Sequence, residues 1–206
     1  MKKLALFMFT ALLMLILVAC GSNDDGDAPK NSDVDASNDT VEETEVNEAK
    51  KELNMALSVD PDGLDPHRTT AASSFQITNN IFDTLVKVTP EGKFIPGLAE
   101  SWEISEDGLT ITFSLRKGVT FHNDREMTAE DVKFSFEPLK NEESPRSGDY
   151  ANIVEINVLD DYTIEFVTEN LNVSLLSDFA YPWAAIVAEE AEADLRNKPI
   201  GTGPFK

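Results

Sequence analysis

The residues of this chain that could carry chemistry are few, and they do not form a catalytic pattern. The two histidines, His67 and His122, lie far apart in the sequence, and Cys20 is the single cysteine. The sequence contains no G-x-S-x-G nucleophile turn, no G-x-x-x-x-G-K-S/T phosphate loop, no H-E-x-x-H zinc motif and no C-x-x-C pair. We therefore predict a protein that is not an enzyme and that needs no cofactor.

Two combinations of polar residues have simpler interpretations than a reactive site. Asp65 and His67, with a serine, could be imagined as a hydrolase triad, but Asp-Pro at the end of a strand more commonly forms a turn. The run 122–124, His-Asn-Asp, offers a nitrogen and oxygens to a metal. Three neighbouring residues rarely form a metal site without a distant fourth ligand. We predict neither hydrolysis nor metal binding.

The N-terminus has the pattern of an export signal. Two lysines precede an apolar run over residues 4–18, which is shorter than the roughly 20 residues of a spanning helix. The Leu-Val-Ala-Cys sequence that ends at Cys20 resembles the lipobox of bacterial lipoproteins, in which the cysteine is acylated and becomes the mature N-terminus. We predict a signal peptide over residues 1–19 and lipidation of Cys20. An uncleaved membrane anchor is the alternative.

The next segment has a different composition. Residues 21–52 are rich in Asp, Glu, Asn, Ser and Thr, and they cannot bury enough apolar surface to offset the entropy of ordering. We predict a disordered acidic tether that, with the lipidated cysteine, covers residues 20–52. Calcium binding is the alternative, but the spacing and the glycine of a calcium loop are missing.

The charge of the chain excludes one class of partner. With 38 acidic and 17 basic residues, the formal net charge is −21. Nucleic-acid binding needs clustered Lys and Arg to contact phosphates, so we expect no nucleic-acid partner. The same charge disfavours electrostatic adhesion to an anionic membrane.

The first half of the remaining chain predicts both strands and helices. The most regular pattern is a hairpin in which two alternating apolar runs flank Gly108, within residues 102–115. Thr128 is predicted to cap a helix over 129–137 that Pro138 ends. Earlier in the chain, alternation predicts a first strand over 53–59. Ser73 or Ser74 is then predicted to cap an amphipathic helix that extends to Val86.

Further predictions cover the second half. They are a surface loop over 140–150, a second hairpin over 153–166, a short helix over 171–179, a buried strand over 183–187 and a helical segment over 189–195. Strands and helices alternate without a strict repeat, which predicts an α/β fold with a mixed sheet.

The central stretch also resembles a known family. The runs PGLAESWEISEDGLTITFSLRKGVTFH and MTAEDVKFSFE, the triplet at 64–66 and the GTGPF sequence at 201–205 closely resemble the family 5 extracytoplasmic solute-binding proteins. These serve ABC importers for oligopeptides, dipeptides and nickel. The resemblance implies a periplasmic-binding-protein-like type II fold, with a mixed sheet and flanking helices. This sequence departs from the family's pattern in the loop 123–126, where Arg125 stands in place of a glycine.

The resemblance implies a function and partners. We expect a substrate-binding lipoprotein, lipid-anchored on the extracytoplasmic face of the membrane, that captures oligopeptides or dipeptides for an ABC permease and its ATPase subunits. A nickel, haem or other small-solute receptor is one alternative. A non-transport surface or sensory lipoprotein is the other.

The resemblance also indicates where the ligand would bind. The segment 67–74 corresponds to a cleft-facing segment in this family, which nominates Thr69, Thr70, Ala71 and Ala72 as ligand-binding residues. Small polar side chains and free backbone groups suit recognition of a peptide main chain. An ordinary packed loop is the alternative. Trp183 is expected either in the core or in the cleft, and large aromatic residues are more often core.

Members of this family are more than twice as long as this chain. We therefore expect residues 53–206 to be the N-terminal portion of a solute-binding domain, part of the first lobe, with the second lobe absent. An isolated 53–206 polypeptide is expected to show no saturable peptide binding by calorimetry, because one surface alone leaves a ligand in water.

Overall fold

The computed structural model describes residues 54–206. The predicted signal peptide, Cys20 and the predicted tether lie outside the described residues. Within residues 54–206, no helix combines the length and the apolar character needed to cross a bilayer.

The described residues form six strands, four α-helices and three short 3₁₀ turns. The strands are β1 Val86–Val88, β2 Phe94–Pro96, β3 Ala99–Ile104, β4 Thr110–Leu115, β5 Ile153–Asp160 and β6 Thr163–Thr168. The helices are α1 Ala72–Thr78, α2 Ala129–Phe136, α3 Ser147–Tyr150 and α4 Leu175–Asp178, and the 3₁₀ turns are Pro138–Lys140, Pro182–Ala184 and Glu189–Asp194.

The main sheet has four strands in the order β3-β4-β6-β5, and its core-forming pair is β4 with β6. Phe113 pairs with Ile164, and Ile111 pairs with Phe166, so that alternate apolar side chains of both strands lie on the buried face. The two predicted hairpins are confirmed as β3–β4 and β5–β6. At the first turn Gly108 has a φ of 70°, a conformation that glycine adopts without a Cβ clash.

Helix α2 covers this sheet and completes an aromatic core. The ring of Phe136 lies 5.1 Å from the rings of Phe166 and Phe179 and 5.6 Å from that of Tyr150. All four rings are fully enclosed. The helix begins where predicted, since Thr128 is its N-cap and donates its backbone N–H to the carboxylate of Asp131 at 2.9 Å.

The sequence predictions fail in the first thirty described residues. The predicted strand over 53–59 is not formed in its described part, where Met55 and Val59 are exposed and no described strand pairs with them. A strand outside a sheet leaves its backbone groups unpaired, so alternation alone does not create one. The predicted helix ends at Thr78 rather than Val86, because Val86 pairs with Pro96 in the β1–β2 hairpin.

Three further predictions need correction. The segment 140–150 is not wholly a surface loop, because its last four residues form helix α3 and the side chain of Tyr150 is buried. The segment 183–187 is buried as predicted, but it forms a 3₁₀ turn and an extended run with no strand partner. Every strand pair among residues 54–206 is antiparallel, so the parallel pairing that a mixed sheet requires is not found there. The reason is that two of the three pairs in the main sheet are hairpins, whose strands are antiparallel.

The loop before α2 contains a residue with a left-handed backbone conformation, next to the position where the resemblance puts Arg125 in place of a glycine. Asp124, not Arg125, has the positive φ, at 66°. Left-handed backbone conformations favour glycine and tolerate aspartate, so Asp124 occupies the position where glycine fits best. Arg125 instead forms ion pairs with Asp131 and Glu190.

Candidate functional site

The segment 64–68 anchors the nominated ligand-binding residues to the core. The Asp65 carboxylate accepts the backbone N–H of His67 at 2.9 Å, which forms a turn through Pro66. The buried His67 ring bonds through Nε2 to the carbonyl oxygen of Ala185 at 2.9 Å. Burial lowers the pKa of His67, so the ring is neutral and Nε2 is the N–H donor in this bond.

Asp62 fixes the next part of the loop. The Thr69 hydroxyl donates to its carboxylate, and the Ser74 hydroxyl donates to the same oxygen at 2.7 Å. The backbone N–H of Asp62 donates to the Ser74 hydroxyl oxygen at 3.1 Å. The hydroxyl bonds from Thr69 and Ser74 lower the pKa of Asp62, which keeps the carboxylate ionised. Residues 62–74 therefore form a closed loop with its own hydrogen-bond network.

The four nominated residues are not equivalent. Thr69 is buried, and its hydroxyl is committed to Asp62, so its side chain serves the loop itself. Thr70 and Ala72 are exposed, and Ala71 is half-buried at the N-cap of α1. The exposed surface that this loop offers a ligand is therefore small and mostly neutral. A role of these residues in ligand binding remains a prediction.

One residue from elsewhere in the chain, Arg146, contacts this loop and connects it to a group of aromatic rings. Arg146 donates from Nη2 to the carbonyl oxygen of Thr69 at 3.3 Å, and its guanidinium carbon lies 4.0 Å from the centre of the Trp183 ring. The ring of Tyr181 stacks on that of Trp183 at 4.4 Å with an angle of 16°. Phe75, on α1, lies 6.0 Å from Trp183. Together these side chains form an aromatic and cationic surface beside the loop, which we call the Arg146–Trp183 cluster.

This cluster could not be predicted from the sequence. Arg146 lies in the segment predicted as a surface loop, 77 residues from Thr69, and no local pattern connects the two positions. Trp183 is expected in the core or in the cleft, and the structure shows the contact with the core. It packs against the main hydrophobic core, yet it is only partly buried and supports Arg146 and Tyr181.

Neither histidine provides a reactive site. His122 accepts the Gly201 N–H at Nδ1 at 3.3 Å and bonds through Nε2 to the carbonyl oxygen of Gly203 at 2.8 Å. The Nε2 nitrogen of His67 is likewise committed to Ala185. Within residues 54–206 there is no group of three or more His, Cys, Asp or Glu side chains that could hold a metal ion. The two histidines tie chain segments together.

A cavity of about 290 Å³ borders the same loop on the side of Asp65 and His67, between Phe134 and Leu195. Its lining does not include residues 69–72 or Arg146. The exposed Arg68 at its rim lies 3.7 Å from Asp65, a weak surface ion pair. The cavity is thus separate from the Arg146–Trp183 cluster.

Comparison with known proteins identifies the family. The family model described as "Bacterial extracellular solute-binding proteins, family 5 Middle" matches residues 93–206. The chain belongs to this family. The predicted periplasmic-binding-protein-like α/β fold is also confirmed, because solved periplasmic binding proteins share the architecture.

Similar proteins include several with peptide ligands in their names. The chain is 35% identical over 175 residues to the di/tripeptide-binding protein 1 of Pseudomonas aeruginosa, covering 70% of this chain and 33% of the relative. It is 36% identical over 179 residues to the dipeptide-binding protein of Escherichia coli, covering 71% and 33%. This chain thus spans about a third of the length of these relatives.

The solved structure of DppA, a periplasmic binding protein from Helicobacter pylori in complex with the peptide STSA, matches with a TM-score of 0.63 and 35% identity, covering 71% of this chain and 34% of that one. The dipeptide-binding protein from Pseudoalteromonas sp., in complex with Met-Leu, matches with a TM-score of 0.64 and 29% identity, covering 71% and 35%.

Proposed function

We propose that this chain supplies one face of a binding site for short peptides in an extracytoplasmic solute receptor of an ABC importer. The observation that carries the proposal is the loop 69–72, which Asp62, His67 and Arg146 hold in one conformation with Thr70 and Ala72 exposed. A preformed loop loses little entropy when a ligand binds. The dipeptide and tripeptide ligands named for the relatives support the choice of solute.

The face is suited to binding and not to transformation of a solute. It combines a small neutral surface at Thr70 and Ala72 with aromatic rings at Tyr181 and Trp183. Aromatic rings and small polar groups can contact a peptide without selecting its side chains. A second surface that faces this one would be needed to exclude water from the solute.

We further propose that the predicted signal peptide over residues 1–19 is removed and that Cys20 is lipidated, followed by a tether up to residue 52. This places residues 53–206 outside the cell membrane, beside a permease and its ATPase subunits. Globomycin, which inhibits the lipoprotein signal peptidase, should make the unprocessed precursor accumulate. A precursor that is processed normally in its presence would contradict lipidation at Cys20.

Peptide binding is tested on the full 206-residue chain, ¹⁵N-labelled and held in a mild detergent. Titration with alanyl-phenylalanine should shift the backbone amide signals of residues 69–72 at millimolar concentrations without reaching saturation, because one face alone leaves the ligand partly in water. Hemin and nickel chloride, titrated separately, test the two alternative solutes. Shifts from either of these in place of the peptide would contradict the proposal.

A pair of variants gives the matched control. Thr70→Glu places a bulky charge on the nominated face and should abolish the peptide-induced shifts. Thr120→Glu makes the same change at another exposed threonine and should leave them intact. Equal behaviour of the two variants would show that the peptide does not bind at Thr70.

A further inference from the structure

We propose that the cavity beside Asp65 and His67 is a second binding site, separate from the loop 69–72, for a small organic cation. The ligand that fits its chemistry is a primary ammonium group on a short apolar chain. This space, which we call the His67 cavity, has an apolar floor, a mostly acidic rim and hydrogen-bond acceptors without donors. The site does not depend on whether the loop 69–72 binds peptides.

The His67 cavity has room for a small organic molecule, and its floor is apolar. Its volume of about 290 Å³ is close to the lower end of the range for ligand pockets, roughly 300 Å³. Val187 and Leu195 are buried in a hydrophobic cluster against which Phe134 packs. All three side chains line the cavity, so the apolar chain of a ligand would leave water for apolar surface there.

The rim of the cavity is mostly acidic. Asp65, Glu143 and Glu192 supply three carboxylates, whereas Arg68 is the one lining residue with a permanent positive charge. The Arg68 side chain is 85% exposed, and its Nε lies 3.7 Å from Asp65 Oδ2, so this pair is a weak surface contact. Neither Glu143 nor Glu192 forms an ion pair within residues 54–206. This excess of negative charge favours a cationic ligand.

Two acceptors at the cavity have no donor. His67 is 7% exposed, and because its Nε2 donates to Ala185, Nδ1 of the neutral ring is an acceptor. No described residue donates to Nδ1, and Nδ1 is not among the enclosed side-chain atoms that lack a partner, so it is open to a molecule in the cavity. Asp65 accepts the His67 N–H through Oδ1, while its Oδ2 receives no hydrogen bond from the described residues. A ligand that completes these two groups must therefore donate hydrogen bonds.

A primary ammonium group matches these features. It has three N–H donors and a positive charge, so it has donors for both Asp65 Oδ2 and His67 Nδ1, and its bond to the carboxylate is charge-assisted. A hydroxyl group offers one donor and no charge. A metal ion is a poor match, because no group of three or more His, Cys, Asp or Glu side chains in the described part of the chain could hold one.

The alternative is a cavity that holds only water. Water also donates to His67 and Asp65, and about 290 Å³ accommodates roughly ten water molecules. A cavity that serves only as a space for water does not select dissolved molecules by charge or by N–H donors. The two interpretations therefore differ in their response to these two properties of an added molecule.

The test uses three probes of similar shape on the ¹⁵N-labelled full chain. They are phenethylammonium chloride, phenethyl alcohol, and the trimethylated ion in which methyl groups replace the N–H hydrogens. The ¹⁵N signal of His67 Nδ1 and the backbone amide of Arg68 are followed together. Phenethylammonium should move both signals and bind about tenfold more tightly than the alcohol, as expected for a charge-assisted hydrogen bond. The trimethylated ion should leave the Nδ1 signal in place, because it has no hydrogen to donate.

Two variants should change the affinity for phenethylammonium in opposite directions. Asp65→Asn keeps an oxygen for the His67 N–H but removes the charge, and it should weaken binding about tenfold. Arg68→Gln removes the exposed cation at the rim and should tighten binding about threefold. Glu106→Gln, at an exposed carboxylate in the β3–β4 turn, is the control and should bind as the wild type. Thermal melts establish that each variant is folded, and the exposed position of Arg68 keeps the test decisive if Asp65→Asn unfolds.

The outcomes distinguish this site from the proposed peptide-binding face. Alanyl-phenylalanine carries a carboxylate that the acidic rim repels, so it should shift residues 69–72 and leave His67 Nδ1 in place. The second site is refuted if the dipeptide moves Nδ1 as phenethylammonium does, if the alcohol binds as tightly as the ammonium ion, or if no probe moves Nδ1. If phenethylammonium moves Nδ1 and the dipeptide does not shift residues 69–72, the second site stands and the peptide proposal is refuted.

Discussion

Substitution of Asp131 by asparagine tests how the loop before α2 is held in place. The Asp131 side chain is 4% exposed and accepts two N–H groups of Arg125, at 2.9 and 2.5 Å, together with the backbone N–H of Thr128 at 2.9 Å. Asp131→Asn keeps the shape of the side chain but removes its charge. Arg125 then retains only its contact with the half-exposed carboxylate of Glu190.

The expected magnitude follows from burial. Removing one partner of a fully buried ion pair costs about 3–5 kcal/mol. Arg125 is 35% exposed and keeps Glu190, so we expect Asp131→Asn to lower the free energy of unfolding by about 2 kcal/mol. Glu190 is 45% exposed, and Glu190→Gln should cost less than about 1 kcal/mol. The bonds to Asp131, followed by those to Glu190, raise the pKa of Arg125, which agrees with this order.

Urea denaturation followed by circular dichroism at low and high salt provides the assay. The loss in Asp131→Asn should persist in high salt, whereas the smaller loss in Glu190→Gln should disappear, because exposed charges are screened. Glu130→Gln, at the neighbouring exposed carboxylate, is the control and should change stability by a few tenths of a kcal/mol, about the size of a helix-dipole contribution. Equal losses in Asp131→Asn and Glu190→Gln would refute the reasoning from burial.

Three other substitutions have defined outcomes. Asp124→Ala should destabilise the chain by about 1 kcal/mol, because its φ of 66° is unfavourable for alanine, whereas Asp124→Gly should not; equal melting temperatures would contradict this. His67 has a pKa lowered by burial, so the unfolded chain takes up a proton below about pH 6.5 that the folded chain resists, and stability falls on acidification. When the pH falls from 7.5 to 5.5, the free energy of unfolding should therefore decrease less in His67→Gln than in the wild type. An equal decrease in both proteins would show that His67 does not cause the loss of stability. Burial raises the pKa of Asp178 to about 6, so its ionised form opposes folding above that pH. Asp178→Asn should therefore stabilise the chain at pH 7.5 by up to about 1 kcal/mol, with allowance for solvent screening, and the gain should vanish near pH 4 in denaturation curves; a gain that persists at pH 4 would have another cause.

The parts of the fold that the sequence predicted are those with local causes. The β3–β4 hairpin follows from alternation on both sides of Asp107-Gly108, where the Asp107 carboxylate accepts the Leu109 N–H at 3.0 Å. The start of α2 follows from Thr128 and Asp131, only three residues apart. In each case the residues that decide the conformation lie within one turn of each other, so a sequence pattern contains the necessary information.

The errors have long-range causes. The helix predicted up to Val86 ends early because β1 pairs with β2, and Gly97 and Ala99 donate their N–H groups to the carbonyl oxygen of Leu85. The run 183–187 looked like a strand because it is apolar, but its Ile186 N–H bonds to the backbone of Asp83 and not to a sheet. Periodicity reports which residues are buried and not what they are buried against.

The sequence nominated a segment for the candidate site but not the residues that surround that segment. The family resemblance nominated residues 69–72, and the structure shows how Asp62 and His67 hold them. The family resemblance could not indicate Arg146, which lies 77 residues from its contact Thr69 in the sequence. Nor could it show that the Thr69 hydroxyl is occupied by Asp62.

The most direct test of the account locates a bound peptide on the chain. A dipeptide that carries a nitroxide label is added to the ¹⁵N-labelled full chain, and the paramagnetic broadening of each amide signal is measured. Strong broadening of residues 69–72 and of the Arg146 side chain, with little effect at Val154 on strand β5, is the predicted result. Uniform broadening, or broadening centred on β5, would contradict the claim that this loop forms the solute-binding face.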